Sequence, residues 1–261
     1  MAGQIRYESK NGVALLTLDQ PDKLNAMSLE MWLGLKDCVD RAEADPAVRL
    51  ISVRGEGAKA FCAGADISQF GDNRTGEDAV QAYDRAVYAA SMGLAHASKP
   101  TLAAIDGICF GGGLGLAMSC DLRVASAHSR FRIPAARLGI GYAYDNMRML
   151  TQRLGFGATA EVMFTARIFD ADEARQFGVL QRVFASANFE SDLADYIEMI
   201  AVNAPLSLKA AKRALIELEK PESEQNREAA LEAVAACYNS SDYKEGQAAF
   251  KEKRLPIFTG K

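Results

Sequence analysis

Histidine is nearly absent. His96 and His128 are the only two in 261 residues, too few for a histidine-rich metal centre. Cysteine is scarce and unpaired: Cys38, Cys62, Cys109, Cys120 and Cys237 are odd in number and form no CxxC, so they read as buried reduced thiols. That excludes a disulfide frame and a zinc site, and no metal is expected. No apolar run approaches the roughly 20 residues needed to span a bilayer, so no membrane partner is expected. Met1 to Lys10 is polar and lacks a signal-type hydrophobic stretch, which predicts a cytoplasmic protein. Excess positive charge is missing too. Thirty Lys and Arg against 34 Asp and Glu give a net charge of −4, which argues against bulk attraction to nucleic acid. The one basic helix face, Lys209, Lys212, Arg213 and Lys220, is thin and shares its turns with Glu217 and Glu219.

What is present is enough for a full core. Hydrophobic residues make up 49% of the chain and charges of both signs are mixed along it, so disorder is not indicated. Ile5–Ser9 and Val13–Asp19 read as strands joined through Asn11-Gly12, a tight hairpin dipeptide. Ser28 suits the N-cap of a helix to about Asp45, with Met31, Leu35, Val39 and Ala42 on one face. Val48–Arg54 follows as a strand, and Gly55 to Gly71 reads as an irregular glycine-rich stretch. A long helix is predicted over Thr75 to Ser98, then strands at Thr101–Ile105 and Ile108–Phe110 around Asp106-Gly107. A small helix, Leu114–Ser119, leads to strands at Leu122–Ala125 and Arg130–Ile133 and a loop over Gly139–Asp145. Helices are expected at Asn146–Leu154, Ala158–Phe164 and Ala171–Phe177, and a strand at Val179–Val183. From about Glu190 nearly everything is helical. The chain therefore divides into an α/β core, residues 1–190, and a helical C-terminal region, residues 191–261.

The stretch Ile108-Cys-Phe-Gly-Gly-Gly-Leu-Gly-Leu-Ala117 carries the most chemical information. A strand runs into three glycines and then a helix, whose free N–H groups and dipole can hold a negative oxygen. Phe61-Cys-Ala-Gly-Ala-Asp-Ile67 is a second small-residue loop after a strand, able to supply another N–H to the same oxygen. Two converging donors make an oxyanion hole. The competing explanation is that the glycines only permit close helix–strand packing. A dinucleotide site is excluded by spacing: Leu116 stands where the fingerprint after Gly111 and Gly113 needs a small residue, and Gly155-Phe-Gly157 with Ala160 follows a helix instead of a strand.

Four stretches taken together, Lys23-Leu-Asn-Ala26, Ala63-Gly-Ala-Asp-Ile67, Asp106-Gly107 leading into the glycines, and Phe250-Lys-Glu-Lys-Arg254, resemble the crotonase (enoyl-CoA hydratase/isomerase) superfamily in order and spacing over nearly the whole chain. The resemblance implies a spiral of ββα units, a C-terminal helical trimerisation region and a trimer or a hexamer of two trimers. It also implies an acyl-CoA thioester as substrate, with coenzyme A entering as part of that substrate and no separate cofactor. By the same resemblance, Ala65 and Gly112 donate the oxyanion-hole N–H groups. Lys23, Leu24, Ala26, Ala63, Asp66 and Ile67 lie along the nucleotide part of CoA, and Phe250 and Lys253 help bind it, often from a neighbouring subunit.

The sequence departs from the family at two positions. Hydratases of the family use two glutamates to activate water; here the first position is Gly115, and the second, after Phe131-Arg-Ile-Pro134, is Ala135. Neither residue can move a proton. Candidates on the reacting face lie in Gly139-Ile-Gly-Tyr-Ala-Tyr-Asp145. Tyr142 falls where some decarboxylases of the superfamily place a tyrosine. Asp145 falls near where other members place a carboxylate base or nucleophile, and it also reads as the N-cap of a helix opening near Asn146. Tyr88 and Arg137 are further pocket candidates. The reading is acyl-CoA chemistry through a stabilised enolate. The alternatives are a malonyl-type decarboxylase, dehalogenase-like attack by Asp145, and a non-catalytic CoA-ester-binding protein.

Overall fold

The computed structural model describes residues 3–66 and 77–261. The chain opens with the hairpin β1 (Gln4–Lys10) and β2 (Val13–Asp19), turned at Asn11 and Gly12 with φ of 51° and 79°. Both residues are in the left-handed region that a two-residue hairpin turn needs. Helix α1 (Leu29–Ala44) is capped by the Ser28 hydroxyl, which accepts from the Met31 N–H at 3.2 Å, and buries the predicted face of Met31, Leu35, Val39 and Ala42. Its far end is closed by the buried Lys99 ammonium, which donates to the Ala42 and Asp45 carbonyls at 2.5 and 2.6 Å. Positive charge at a helix C-terminus is the favourable sense of the dipole.

From here each unit contributes one strand to each of two sheets and then a helix. Strands β3 (Leu50–Gly55) and β4 (Ala60–Cys62) are followed by α2 (Glu77–Ala95). Strands β5 (Thr101–Ile105) and β6 (Ile108–Phe110) are followed by α3 (Gly112–Ser119), and β7 (Leu122–Ser126) and β8 (Arg130–Arg132) by α4 (Ala135–Leu138) and α5 (Tyr144–Thr165). Then come β9 (Phe169–Asp170), α6 (Ala171–Gln176) and β10 (Arg182–Phe184). The larger sheet runs β1-β2-β3-β5-β7-β10 and the smaller β4-β6-β8-β9; pairing is parallel except at β1–β2 and β8–β9. The corner between β5 and β6 needs glycine: Gly107 has φ 84°, and a Cβ there would stand 2.2 Å from the Lys59 carbonyl oxygen. The α/β spiral expected from the sequence is the fold found.

After β10 only helices follow: α7 (Phe189–Ala201), α8 (Pro205–Leu218), α9 (Arg227–Tyr238) and α10 (Ser241–Glu252), besides short 3-10 turns. Phe189 and Leu193 of α7 pack on Leu50, Leu102 and Val124 of the larger sheet. Helix α8 is bolted down by Lys212, which is buried, pairs with Asp121 at 2.8 Å and donates to the Lys99 carbonyl at 2.9 Å. Arg213 and Lys220 both pair with Glu217. The basic face read from sequence is therefore largely consumed by internal contacts. Among the described residues, no helix is long and apolar enough to cross a membrane.

Several boundaries differ from the sequence reading. Strands β4 and β9, three and two residues long, are too short to show a period. The strand expected at Val179–Val183 lies at Arg182–Phe184, because Val179 and Leu180 close α6 by donating to the Ala174 carbonyl. The helices expected at Asn146–Leu154 and Ala158–Phe164 are the two halves of α5, which is broken at Gly155 (φ 76°, ψ 166°).

Candidate active site

Two backbone segments meet where the units of the spiral stack. After β4 the chain passes Ala63 and Gly64 (φ 108°) and bridges to Met27. The Met27 N–H donates to the Gly64 carbonyl at 2.7 Å and the Asp66 N–H to the Met27 carbonyl at 3.0 Å. The bridge thus uses the N–H of Asp66 and leaves that of Ala65 with no acceptor among the described residues. After β6, Gly111 turns at φ 51°, ψ −120° and its N–H donates to the Arg132 carbonyl at 2.7 Å. Helix α3 opens at Gly112, whose N–H is one of the unpaired donors of a helix start and also finds no acceptor among the described residues. The two donors are neighbours. A Cβ on Gly112 would lie 3.8 Å from the Ala65 nitrogen, and one on Gly64 would lie 3.4 Å from the Gly112 nitrogen.

The two explanations of the glycine run divide by position. A Cβ on Gly113 would stand 2.4 Å from the Cys62 carbonyl oxygen, so that glycine serves close packing of α3 on β4. Gly112 meets nothing closer than 3.8 Å and is open toward Ala65. Beneath them lie the thiols of Cys62, Cys109 and Cys120, all raised by burial, those of Cys62 and Cys120 to about 12. They are reduced and unreactive at neutral pH; Cys38 and Cys237 are free as well but only half-buried, so the expectation of five buried thiols holds for three.

One turn into α3 is Gly115. The Tyr142 hydroxyl lies 3.1 Å from where a Gly115 Cβ would be. Tyr142 is partly buried against the core, and burial, with the Cys109 thiol adding to it, pushes its phenol up to about 12. It is therefore a neutral O–H at physiological pH, able to donate. Its hydroxyl makes no hydrogen bond to the described residues. Ala135 is buried at the start of α4, and Arg137 is exposed on the same short helix.

Residues 20–26 form a tight turn against the Ala63 loop. Leu24 and Asn25 are both left-handed (φ 53° and 55°), Ala26 is buried, and the Ala63 N–H donates to the Leu24 carbonyl at 3.0 Å. The buried Asp66 carboxylate accepts from Lys23 at 2.7 Å and from the Gln20 amide at 3.2 Å. Lys23 is half-exposed beside it. Asn25, inside a quoted motif but assigned no role from sequence, holds this arrangement. Its side chain accepts from the Gln20 N–H at 3.1 Å and donates to the Ala60 carbonyl at 2.7 Å. Asparagine's tolerance of the left-handed region was the available signal. Ile67 lies outside the described residues.

The remaining candidates lie elsewhere. Asp145 is exposed in the first turn of α5, which starts two residues before the expected Asn146. The N-cap is Ala143, with no side-chain cap, so Asp145 does not cap the helix. It lines a cavity of about 130 Å³ together with Tyr88 of α2, not the space between Tyr142 and Gly115. Phe250, on α10, is 86% exposed, and Lys253 ends that helix in the left-handed conformation.

Both the sequence and the fold recur in known proteins. Residues 8–261 match the enoyl-CoA hydratase/isomerase family. The chain belongs to that family. It is 30% identical over 259 residues to the crotonyl-CoA hydratase of Syntrophomonas wolfei, covering 98% of each chain. It is also 30% identical over 247 residues to the short-chain-enoyl-CoA hydratase of Clostridium acetobutylicum, covering 95% of this chain and 94% of that one. Among solved structures, an enoyl-CoA hydratase/carnithine racemase from Magnetospirillum magneticum aligns with a TM-score of 0.94 and 33% identity, over 98% of this chain and 96% of that one. As an enoyl-CoA hydratase/isomerase family member the protein is an enzyme, and the motif resemblance in its sequence identified the family correctly.

Proposed function

We propose that the protein binds an acyl-CoA thioester with its carbonyl oxygen between the Ala65 and Gly112 N–H groups. It stabilises the enolate formed there and works without the family's glutamate pair. The observation that carries this reading is the pair of neighbouring backbone donors with no other acceptor among the described residues. Fixed donors need no reorganisation as charge develops on the oxygen, which is why such pairs stabilise enolates strongly. Tyr142, whose hydroxyl lies 3.1 Å from where a Cβ on residue 115 would stand, is the polar group assigned to the reacting face, while Asp145 lines a separate cavity.

A second reading is favoured by the state of Tyr142. A phenol held neutral donates a proton or a hydrogen bond; it does not abstract one at neutral pH. That suits decarboxylation of a malonyl-type CoA. There the breaking carbon–carbon bond delivers its electron pair to the thioester as an enolate, carbon dioxide leaves, and the α-carbon is then protonated. No base is required.

In the same proposal, Lys23, Leu24, Ala26, Ala63, Asp66 and Ile67 flank the nucleotide part of CoA, and Phe250 and Lys253 reach it from a neighbouring subunit. Exposed Leu215, Leu218, Leu231 and Tyr238 on α8 and α9 support self-association of the helical region into a trimer or hexamer. The protein acts in the cytoplasm.

The test is incubation of the purified protein with crotonyl-, malonyl-, methylmalonyl- and halobenzoyl-CoA, with product masses read directly. Loss of carbon dioxide supports the decarboxylase. Gain of water on crotonyl-CoA, persisting in Tyr142→Phe, would show that hydration proceeds by other groups and overturn the assignment of the reacting face. Tight CoA-ester binding with no turnover of any ester would leave a binding protein.

A further inference from the structure

A cavity of about 270 Å³ opens between α8, α9 and the segment that follows α2. Lys209 and Arg213 face it from successive turns of α8, and His96 and Ser98 from the segment after α2. Its remaining lining is apolar: Ile216 of α8, and Ala229 and Ala233 of α9. Among the described residues no carboxylate lines it. Those bonded to its lining residues are already engaged. Glu217 pairs with Arg213 and Lys220 and accepts the Asn226 N–H at 2.7 Å. Glu43 accepts the N–H groups of Ser98 and Lys99 at 2.7 and 3.3 Å.

What is left over at this cavity is donors. Lys209 makes no hydrogen bond or ion pair among the described residues, and the His96 ring and Ser98 hydroxyl make no hydrogen bond among them. The Arg213 Nε is buried and has no hydrogen-bond partner. A buried guanidinium N–H left unpaired costs free energy unless water or an anion completes it. His96 is held below its usual value by burial first and then by the charge of Lys220, consistent with a positive potential here.

We propose that this cavity is a binding site for a small phosphate monoester. Lys209, Arg213 and His96 hold the phosphate, and the organic part rests on Ile216, Ala229 and Ala233. The guanidinium meets phosphate oxygens as a planar fork and the ammonium as a point charge. None of the residues assigned to the oxyanion hole or to CoA lines the cavity, so the site is separate from both. Self-association through α9 leaves it open, because Leu231 and Tyr238 lie roughly half a turn around that helix from Ala229 and Ala233.

The experiment is calorimetric titration of phenyl phosphate, inorganic phosphate and benzyl alcohol into the full chain, with and without saturating coenzyme A. Phenyl phosphate should bind saturably, about fivefold more tightly than inorganic phosphate through the apolar wall and at least about tenfold more tightly than benzyl alcohol. Lys209→Met breaks no hydrogen bond or ion pair of the described residues and should weaken phenyl phosphate about tenfold, the size of one charge-assisted bond. Proton NMR locates the ligand, since the chain has only two histidines. The His96 ring signals, identified by their absence in His96→Gln, should shift on addition while those of His128 stay. No saturable binding, a loss within about twofold in Lys209→Met, or a shift at His128 alone overturns the proposal and leaves water as the partner of the unpaired donors. Equal affinity for inorganic phosphate overturns the monoester assignment, and displacement of phenyl phosphate by coenzyme A overturns the separation from the CoA site.

Discussion

Replacing Gly112 with proline deletes one proposed oxyanion donor and sets the ring Cδ where its hydrogen pointed. In a helix interior proline removes a hydrogen bond and clashes with the preceding turn, at a cost of about 3 kcal/mol. Gly112 is not interior. It is the first residue of α3, its N–H serves no carbonyl among the described residues, and proline's fixed φ near −65° suits that position. Gly111, at φ 51° and ψ −120°, is a glycine already and tolerates a following proline in a way other residues would not. The nearest atom to an added Cβ, the Ala65 nitrogen at 3.8 Å, is at ordinary contact distance. Stability should therefore change by less than about 1 kcal/mol. The loss of one donor to the enolate oxygen, with a ring carbon in its place, should lower kcat by at least about 100-fold, or about 3 kcal/mol. Gly112→Ala keeps the N–H and serves as the steric control, expected within about tenfold of wild type. Thermal unfolding by circular dichroism and kcat on the ester identified by mass spectrometry read the two quantities separately. A folded Gly112→Pro protein with kcat within about threefold of wild type would remove the Gly112 N–H from the mechanism.

Three further predictions use the same geometry. Burial raises the Tyr142 phenol to about 12 against an unfolded value near 10, so its contribution to stability is complete below about pH 10 and is lost as pH rises toward 12. Absorbance titration should show a late tyrosine ionisation in wild type that is missing in Tyr142→Phe, whose kcat should fall by about tenfold or more. Alanine at Gly115 puts a Cβ 3.1 Å from the Tyr142 hydroxyl, tight enough that the ring must yield by a few tenths of an ångström. Gly115→Ala should therefore impair activity in wild type. In the Tyr142→Phe background it should instead stabilise the protein by up to about 1 kcal/mol through helix propensity, and additive effects in that double-mutant cycle would refute the contact. Lys212→Met strips Asp121 of its buried partner, although the Thr101 N–H at 2.7 Å and hydroxyl at 3.0 Å still hold the carboxylate. A loss of about 3 kcal/mol in urea unfolding is expected.

How far the sequence discloses this protein depends on the length of the segment carrying the information. Long elements with a strong period were legible. Helix α1, with its serine cap and buried stripe, and the Asn11-Gly12 hairpin stand where propensity puts them. What pairs strands across units was not legible. Neither β4 nor β9 is long enough to alternate, and each exists because a neighbouring strand offers a free edge: β6 to β4, β8 to β9. The same limit displaced β10, whose start is set by how α6 closes on the Ala174 carbonyl and not by the hydrophobic run Val179–Val183. Charge was misleading for a related reason. Lys212 looks like one member of a basic stripe until tertiary packing brings Asp121, some ninety residues away in the chain, against it.

The site divides in the same way, and the division is chemical. Ala65 and Gly112 could be named from motifs because backbone donors depend on glycine placement and helix starts, which are local. The pairing of Gly115 with Tyr142 could not, although both residues stood out separately, one as a departure from the family's pattern and the other as a candidate on a loop. A glycine inside an eight-residue helix costs about 1 kcal/mol relative to alanine, so its presence needs a reason. The reason the structure supplies is volume: the position is open because the Tyr142 hydroxyl fills it from the opposite segment. On the proposed reading, a phenol from the loop stands beside the thioester in place of a helix carboxylate, a group that burial keeps neutral instead of one that can carry charge. A glutamate placed at residue 115 alone would set its carboxylate against that hydroxyl in a space already taken. Water activation from that helix position would require the tyrosine to leave first.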